Sequence, residues 1–193
     1  GEKTEDGFEA TTNEVLRTVE KAKNNPDVPF CVFKITGIAD SDLLEKIQKG
    51  DILNQIEQQS YECARVRVDR ICAKAFDYHV PVLIDAEDSW YQDAIDNLAN
   101  EMMNKYNRHS PIVFNTFQMY RADMYDKLAR AFDLATLNNF FLGVKMVRGA
   151  YMEIERKRAE ENNYPDPIYP TKELTDEAFN KGLTFCVENI QRI

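Results

Sequence analysis

The chain is poor in the residues that bind metals or form covalent cross-links. Its 193 residues include four cysteines and two histidines. Cys31, Cys63, Cys72 and Cys186 are scattered without close pairing, and the step from Cys63 to Cys72 is not a structural zinc spacing. His79 and His109 fall in expected loops ahead of apolar strands. The set reads as reduced thiols of an intracellular protein, with no metal site. Long apolar runs are missing too; none approaches the roughly 20 residues that span a bilayer. Gly1 to Gly7 carries neither the basic nor the apolar stretch of a secretory signal, and the absence of Met at position 1 points to trimming. Positive charge is in deficit, 24 lysines and arginines against 33 acidic residues, for a net charge of -9. Such a surface repels phosphate backbones, which argues against a nucleic-acid partner. No repeat of fixed period and no low-complexity tract is present.

What is present is an alternation of helix and strand. The hydrophobic content, 44%, is that of a globular domain. Apolar residues Phe8, Val15, Leu16 and Val19 recur at helical spacing between Phe8 and Lys23, and Asn24-Asn25-Pro26-Asp27 ends the run. Phe30 to Thr36 is short and almost continuously apolar, as in a strand buried on both faces of a parallel sheet. Gly37 and Gly50-Asp51 punctuate a loop and short helix. A long helix follows over Ile52 to Tyr78, with Ile56, Val66, Ile71, Ala75 and Phe76 as its expected core face. Strands are then expected over Val80 to Glu87, Pro111 to Tyr120 and Phe140 to Arg148. Helices are expected over Ser89 to Tyr106, Ala122 to Asn138, Met152 to Asn162 and Thr171 to Ile193. Strands separated by helices imply right-handed crossovers and a parallel sheet. Two architectures remain open, a doubly wound sheet and a (β/α)8 barrel. No strand end carries a Gly-x-Gly-x-x-Gly turn, which favours the barrel. Four units are half of the eight that close one.

In either architecture the chemistry lies at the carboxyl ends of the strands. Those ends carry Lys34 and Thr36; Asp85 and Glu87; Gln118 and Tyr120; and Lys145, Arg148 and Tyr151. A lysine inside an apolar strand is costly unless it is paired or reaches a polar site, which singles out Lys34 and Lys145. An ordinary structural reading pairs Lys34 with Asp85 as a cap on the strand tops. A ligand site competes with it, because four successive strands place polar groups at one end. Asp88 reads as the start of a helix, the charges of Glu153 to Arg158 as a solvated helix face, and Trp90, Tyr91 and Phe114 as packing.

Five segments resemble the proline dehydrogenase family: Phe33-Lys34-Ile35-Thr36-Gly37, Leu83 to Glu87, Phe114 to Tyr120, Val144 to Tyr151 and Asp166 to Thr171. Their order and spacing fit, and Lys145-Met146-Val147-Arg148-Gly149-Ala150-Tyr151 is the most specific of them. The resemblance implies an FAD-binding (β/α)8 TIM-like barrel with about four of its eight strands in residues 1–193. It implies oxidation of L-proline to Δ¹-pyrroline-5-carboxylate with electrons passed to a quinone. By position, it puts Lys34 beside the substrate, Asp85 in a role ordering the active site, and Tyr151 as a wall of the proline pocket. Gln118 and Lys145 would meet the flavin ring, and Arg148 would help to hold the cofactor. It also implies a first strand before Gly1, and three strands with a carboxylate-clamping arginine pair beyond Ile193. The isolated chain is then expected to fold poorly or to self-associate through open sheet edges, and to be inactive. The likeness points to a bacterial cytoplasm with peripheral membrane association, or to a mitochondrion. Two other readings of the residues are a lyase with Lys34 or Lys145 as a Schiff-base nucleophile, and a half-barrel acting as a binding scaffold.

Overall fold

A computed structural model describes residues 3–193. The chain opens with helix α1 (Glu5–Ala22), whose N-cap Thr4 accepts a hydrogen bond from the Gly7 amide. Strand β1 (Cys31–Phe33) runs into a single 3-10 turn, Ile35–Gly37, and then α2 (Ser41–Lys49), which Gly50 ends in the left-handed conformation. Helix α3 (Gln55–Tyr78) starts from a full capping box, Asn54 with Glu57. Three further units follow: β2 (Val82–Ile84) and α4 (Ser89–Tyr106), β3 (Val113–Gln118) and α5 (Met124–Leu137), then β4 (Val144–Val147). After β4 come α6 (Met152–Asn162) and α7 (Lys172–Glu188).

The four strands form one parallel sheet in the order β1-β2-β3-β4. This order decides between the two architectures. A doubly wound sheet reverses its strand order at a switch point, whereas right-handed crossovers in strictly sequential order put every helix on the same face. The chain is therefore an arc of a barrel, with its other face turned toward the barrel interior. Burial follows the pleat. Cys31, Phe33, Val82, Ile84 and Val113 face the helices and are buried, while Val32, in register with Leu83 and Phe114, lies on the concave face and is exposed.

The strands are shorter than the apolar segments suggest, because a ladder exists only where a neighbour is in register. Gly143 fixes the join of β3 to β4: a Cβ there would lie 2.1 Å from the Val113 carbonyl oxygen. The core face of α3 also differs from the expectation. Ile71 and Ala75 are buried, but Ile56, Val66 and Phe76 are exposed. The buried stripe is Ala64, Arg67, Val68, Ile71, Cys72 and Ala75, at the three- and four-residue steps of one helix face.

Candidate functional site

The register places four side chains in one row across the concave face. Phe33 pairs with Ile84, and Ile84 with Asn115, so the next residues, Lys34, Asp85 and Thr116, stand side by side. Thr116 pairs with Lys145 and completes the row. The Thr116 hydroxyl turns down to donate to the Ile84 carbonyl at 2.8 Å. Its short side chain leaves Lys145 free to reach across to Asp85, and the two form an ion pair. Both are about a quarter to a third exposed, 30% and 25%, so the pair is shielded from water yet reachable by a ligand.

Lys34 is therefore not the partner of Asp85, contrary to the structural reading of the sequence. Its Nζ donates to the Tyr151 hydroxyl at 3.0 Å and lies 5.6 Å from the centre of that ring. The hydrogen bond to Tyr151, opposed by partial burial and helped by the nearby carboxylates, raises the Lys34 pKa above the ordinary lysine value. Lys34 is thus held as an ammonium.

A second tier sits just above. Glu87, 4% exposed, accepts hydrogen bonds from the Thr36 amide at 3.0 Å and from the Thr36 hydroxyl. Burial pushes its carboxyl pKa up, against the two Thr36 bonds that pull it down. Gln118 is buried and bridges the rim: its Nε2 donates to the Glu87 carbonyl at 2.8 Å, and its Oε1 accepts from the Ala150 amide at 3.1 Å. Gln118 thereby holds the loop that carries Tyr151. One Nε2 hydrogen has no partner among the described residues.

Arg148 stands apart from this row. It pairs with Asp176 on α7 and stacks over the Phe179 ring at 4.6 Å. There it lines a cleft of about 670 Å³ between the β4–α6 loop and the start of α7, together with Tyr151, Arg156, Tyr169 and Lys172. Lys172 and Arg148 both bond Asp176 and lower its pKa, in that order.

The structure thus gathers Lys34, Asp85, Lys145 and Tyr151 around one concave surface, with Gln118 behind them and Arg148 in the adjoining cleft. Thr116 was missed, although its place follows from counting two residues along the strand from Phe114. Glu155 was misread. The expected solvated face of α6 holds for Lys157 and Glu161, an exposed pair at 3.7 Å. Glu155, however, is fully buried. Asp88 does occupy the N-cap of α4, but it makes no capping bond and instead accepts from the Tyr91 hydroxyl at 2.6 Å.

Comparison with known proteins agrees with the fold. The family model described as proline dehydrogenase matches residues 1–193. Proline dehydrogenase 1, mitochondrial, of Drosophila melanogaster is 38% identical over 147 residues, covering 75% of this chain and 22% of the fly protein. The carbapenem antibiotics biosynthesis protein CarD of Pectobacterium carotovorum subsp. carotovorum is 30% identical over 193 residues, covering all of this chain and 50% of that protein. Among solved structures, proline utilization A from Bdellovibrio bacteriovorus superposes with a TM-score of 0.83 at 19% identity, over 100% of this chain and 21% of its own. This chain spans half or less of each of these relatives. With the family match running the length of the sequence, the chain belongs to the proline dehydrogenase family.

Proposed function

We propose that the natural protein containing this chain oxidises L-proline to Δ¹-pyrroline-5-carboxylate with FAD and delivers the electrons to a quinone. The observation that carries the reading is the row Lys34, Asp85, Thr116 and Lys145 at the carboxyl ends of the strands, closed on one side by Tyr151. An ammonium fixed beside the substrate repels a protonated amine and favours the neutral form, from which a hydride can leave. Tyr151 offers a flat wall that orients a five-membered ring with few polar handles. Asp85 ties the Lys145 ammonium into the row, where a fixed cation would favour the charge that an acceptor ring gains.

The donor set fits a flavin dinucleotide. Gln118 has an unused N–H beside the rim, and Lys145 supplies a fixed cation. Arg148, Arg156 and Lys172 line the adjoining cleft at the N-terminal end of α7, which suits a diphosphate. When bound, the flavin would supply the hydride acceptor, and the cations near it would favour the charge it gains. The Schiff-base reading has less support: a nucleophilic lysine needs a free amine, and the Tyr151 bond stabilises the Lys34 ammonium.

No helix among the described residues is long and apolar enough to cross a membrane. The proposed site for meeting a membrane quinone is the bacterial inner face or the inside of a mitochondrion. The test is proline-dependent reduction of a soluble quinone analogue by the natural protein and its Lys34→Met and Lys145→Met variants. Each variant should lose about 100-fold in kcat/KM, the scale for removing one stabilising group. A Lys34→Met protein at the wild-type rate would overturn the role of the row.

A further inference from the structure

Helix α6 follows the site directly, and Tyr151 is its N-cap residue. It is an unusual helix to find packed, because it is strongly charged and buries only Glu155 and Ala159. Glu155 is fully buried, and its carboxylate accepts two bonds from one residue of a distant helix. The Ser89 amide donates to Oε1 and the Ser89 hydroxyl to Oε2, each at 2.6 Å. Ser89 is the first residue of α4, whose own N-cap Asp88 makes no side-chain capping bond. Glu155 therefore supplies from another helix the anionic acceptor that an N-terminus needs. One turn back, the Glu155 amide donates to the Tyr151 carbonyl at 2.9 Å. Tyr151 in turn meets Lys34 at 3.0 Å. The chain of contacts runs from α4 through Glu155 to the substrate-facing pair. Arg158, stacked over Trp90 at 4.2 Å, adds a second tether further along α6.

We propose that Glu155 is a positioning residue of the site: by capping α4 across the fold, it fixes the start of α6 and holds Tyr151 against Lys34. The inference rests on the reading of Tyr151 as a wall of the substrate pocket.

The experiment combines kinetics with hydrogen exchange on the purified natural protein, using Glu155→Ala, Glu155→Gln and Ser89→Ala. An exposed change on the same helix, Glu161→Gln, is the control. Glu155→Ala should raise KM for L-proline about tenfold with little change in kcat, since the loss falls on orientation of the substrate. Glu155→Gln, whose amide oxygen still accepts from the Ser89 amide, should recover most of that loss. Amides of residues 149–156 should exchange faster in Glu155→Ala, while those of β3 keep their protection. A lowered melting temperature with unchanged KM and unchanged exchange in 149–156 would overturn the proposal. If Glu155→Ala does not fold, Ser89→Ala decides. It keeps the backbone bond and should raise KM about threefold, and no change in either KM or exchange overturns the proposal. Should the wild-type protein not oxidise proline, the functional reading fails, and exchange in 149–156 still tests the anchoring by Glu155.

Discussion

Gly149→Ala strikes at the joint between strand β4 and the site. Gly149 has φ +149°, a backbone conformation that L side chains rarely adopt, and imposing it on alanine costs about 1–3 kcal/mol. The added Cβ would also lie 2.4 Å from three carbons of the Tyr120 ring. That ring has little room to retreat. Tyr120 is 4% exposed, and its amide and carbonyl are tied to Arg148 and Tyr169, the latter at 2.8 Å. Overpacking of this kind costs a further ~1–3 kcal/mol. Together the two effects come to roughly 2–6 kcal/mol, a large share of the ~5–15 kcal/mol that typically holds a domain. At ~2–4 °C per kcal/mol for a chain of this size, the melting temperature should fall by about 4–24 °C. Urea unfolding of Gly149→Ala, Tyr120→Ala and the double variant separates the causes. The double variant should recover the overpacking part and keep the backbone part, giving a coupling of roughly 1–3 kcal/mol. A single variant within about 0.5 kcal/mol of wild type, the range of an ordinary surface change, would refute both arguments.

Other substitutions test the row and the frame around it. Asp85→Ala leaves Lys145 half-buried without its partner and should cost about 1–3 kcal/mol in urea unfolding. Asp85→Ala with Lys145→Met should recover much of that, and an additive double variant would deny the pairing. Gly143→Ala drives a methyl into the Val113 carbonyl and should cost ~3 kcal/mol or prevent folding, read by circular dichroism and soluble yield. Glu87→Gln tests the buried carboxyl. Its folded pKa is raised, so its favourable contribution is complete below the unfolded value and is lost as pH rises through the folded one. The glutamine variant should therefore gain stability relative to wild type as pH rises from the ordinary carboxylate range to neutrality. A stability difference independent of pH would contradict the raised pKa.

Much of the frame was legible in the sequence because its signals are local. The four apolar segments, their bounding turns and the polar groups at their carboxyl ends reflect burial on both faces and a shared rim. The strict strand order was not legible, since an open sheet and a barrel use the same local units. Nor was the partner of Asp85. Lys34 and Lys145 both lie in its row, and which of them reaches it depends on the small Thr116 between β2 and β4 and on Tyr151 drawing Lys34 away. The α3 face misled for a related reason: its buried stripe includes Arg67 and small residues, while the more hydrophobic Ile56 projects into solvent. Glu155 was hidden because a buried glutamate and a solvated one look alike among the charges of Glu153 to Arg158. What distinguishes it is a partner far away in sequence, the uncapped start of α4.

The central claim, a flavin-dependent proline-oxidising site built on these strand ends, is tested most directly by the absorbance spectrum of the natural protein, titrated first with FAD and then with L-proline. The account predicts bound-flavin bands that bleach when proline is added, with Lys34→Met binding flavin but failing to bleach it. Flavin bands that persist unchanged in excess proline would contradict it.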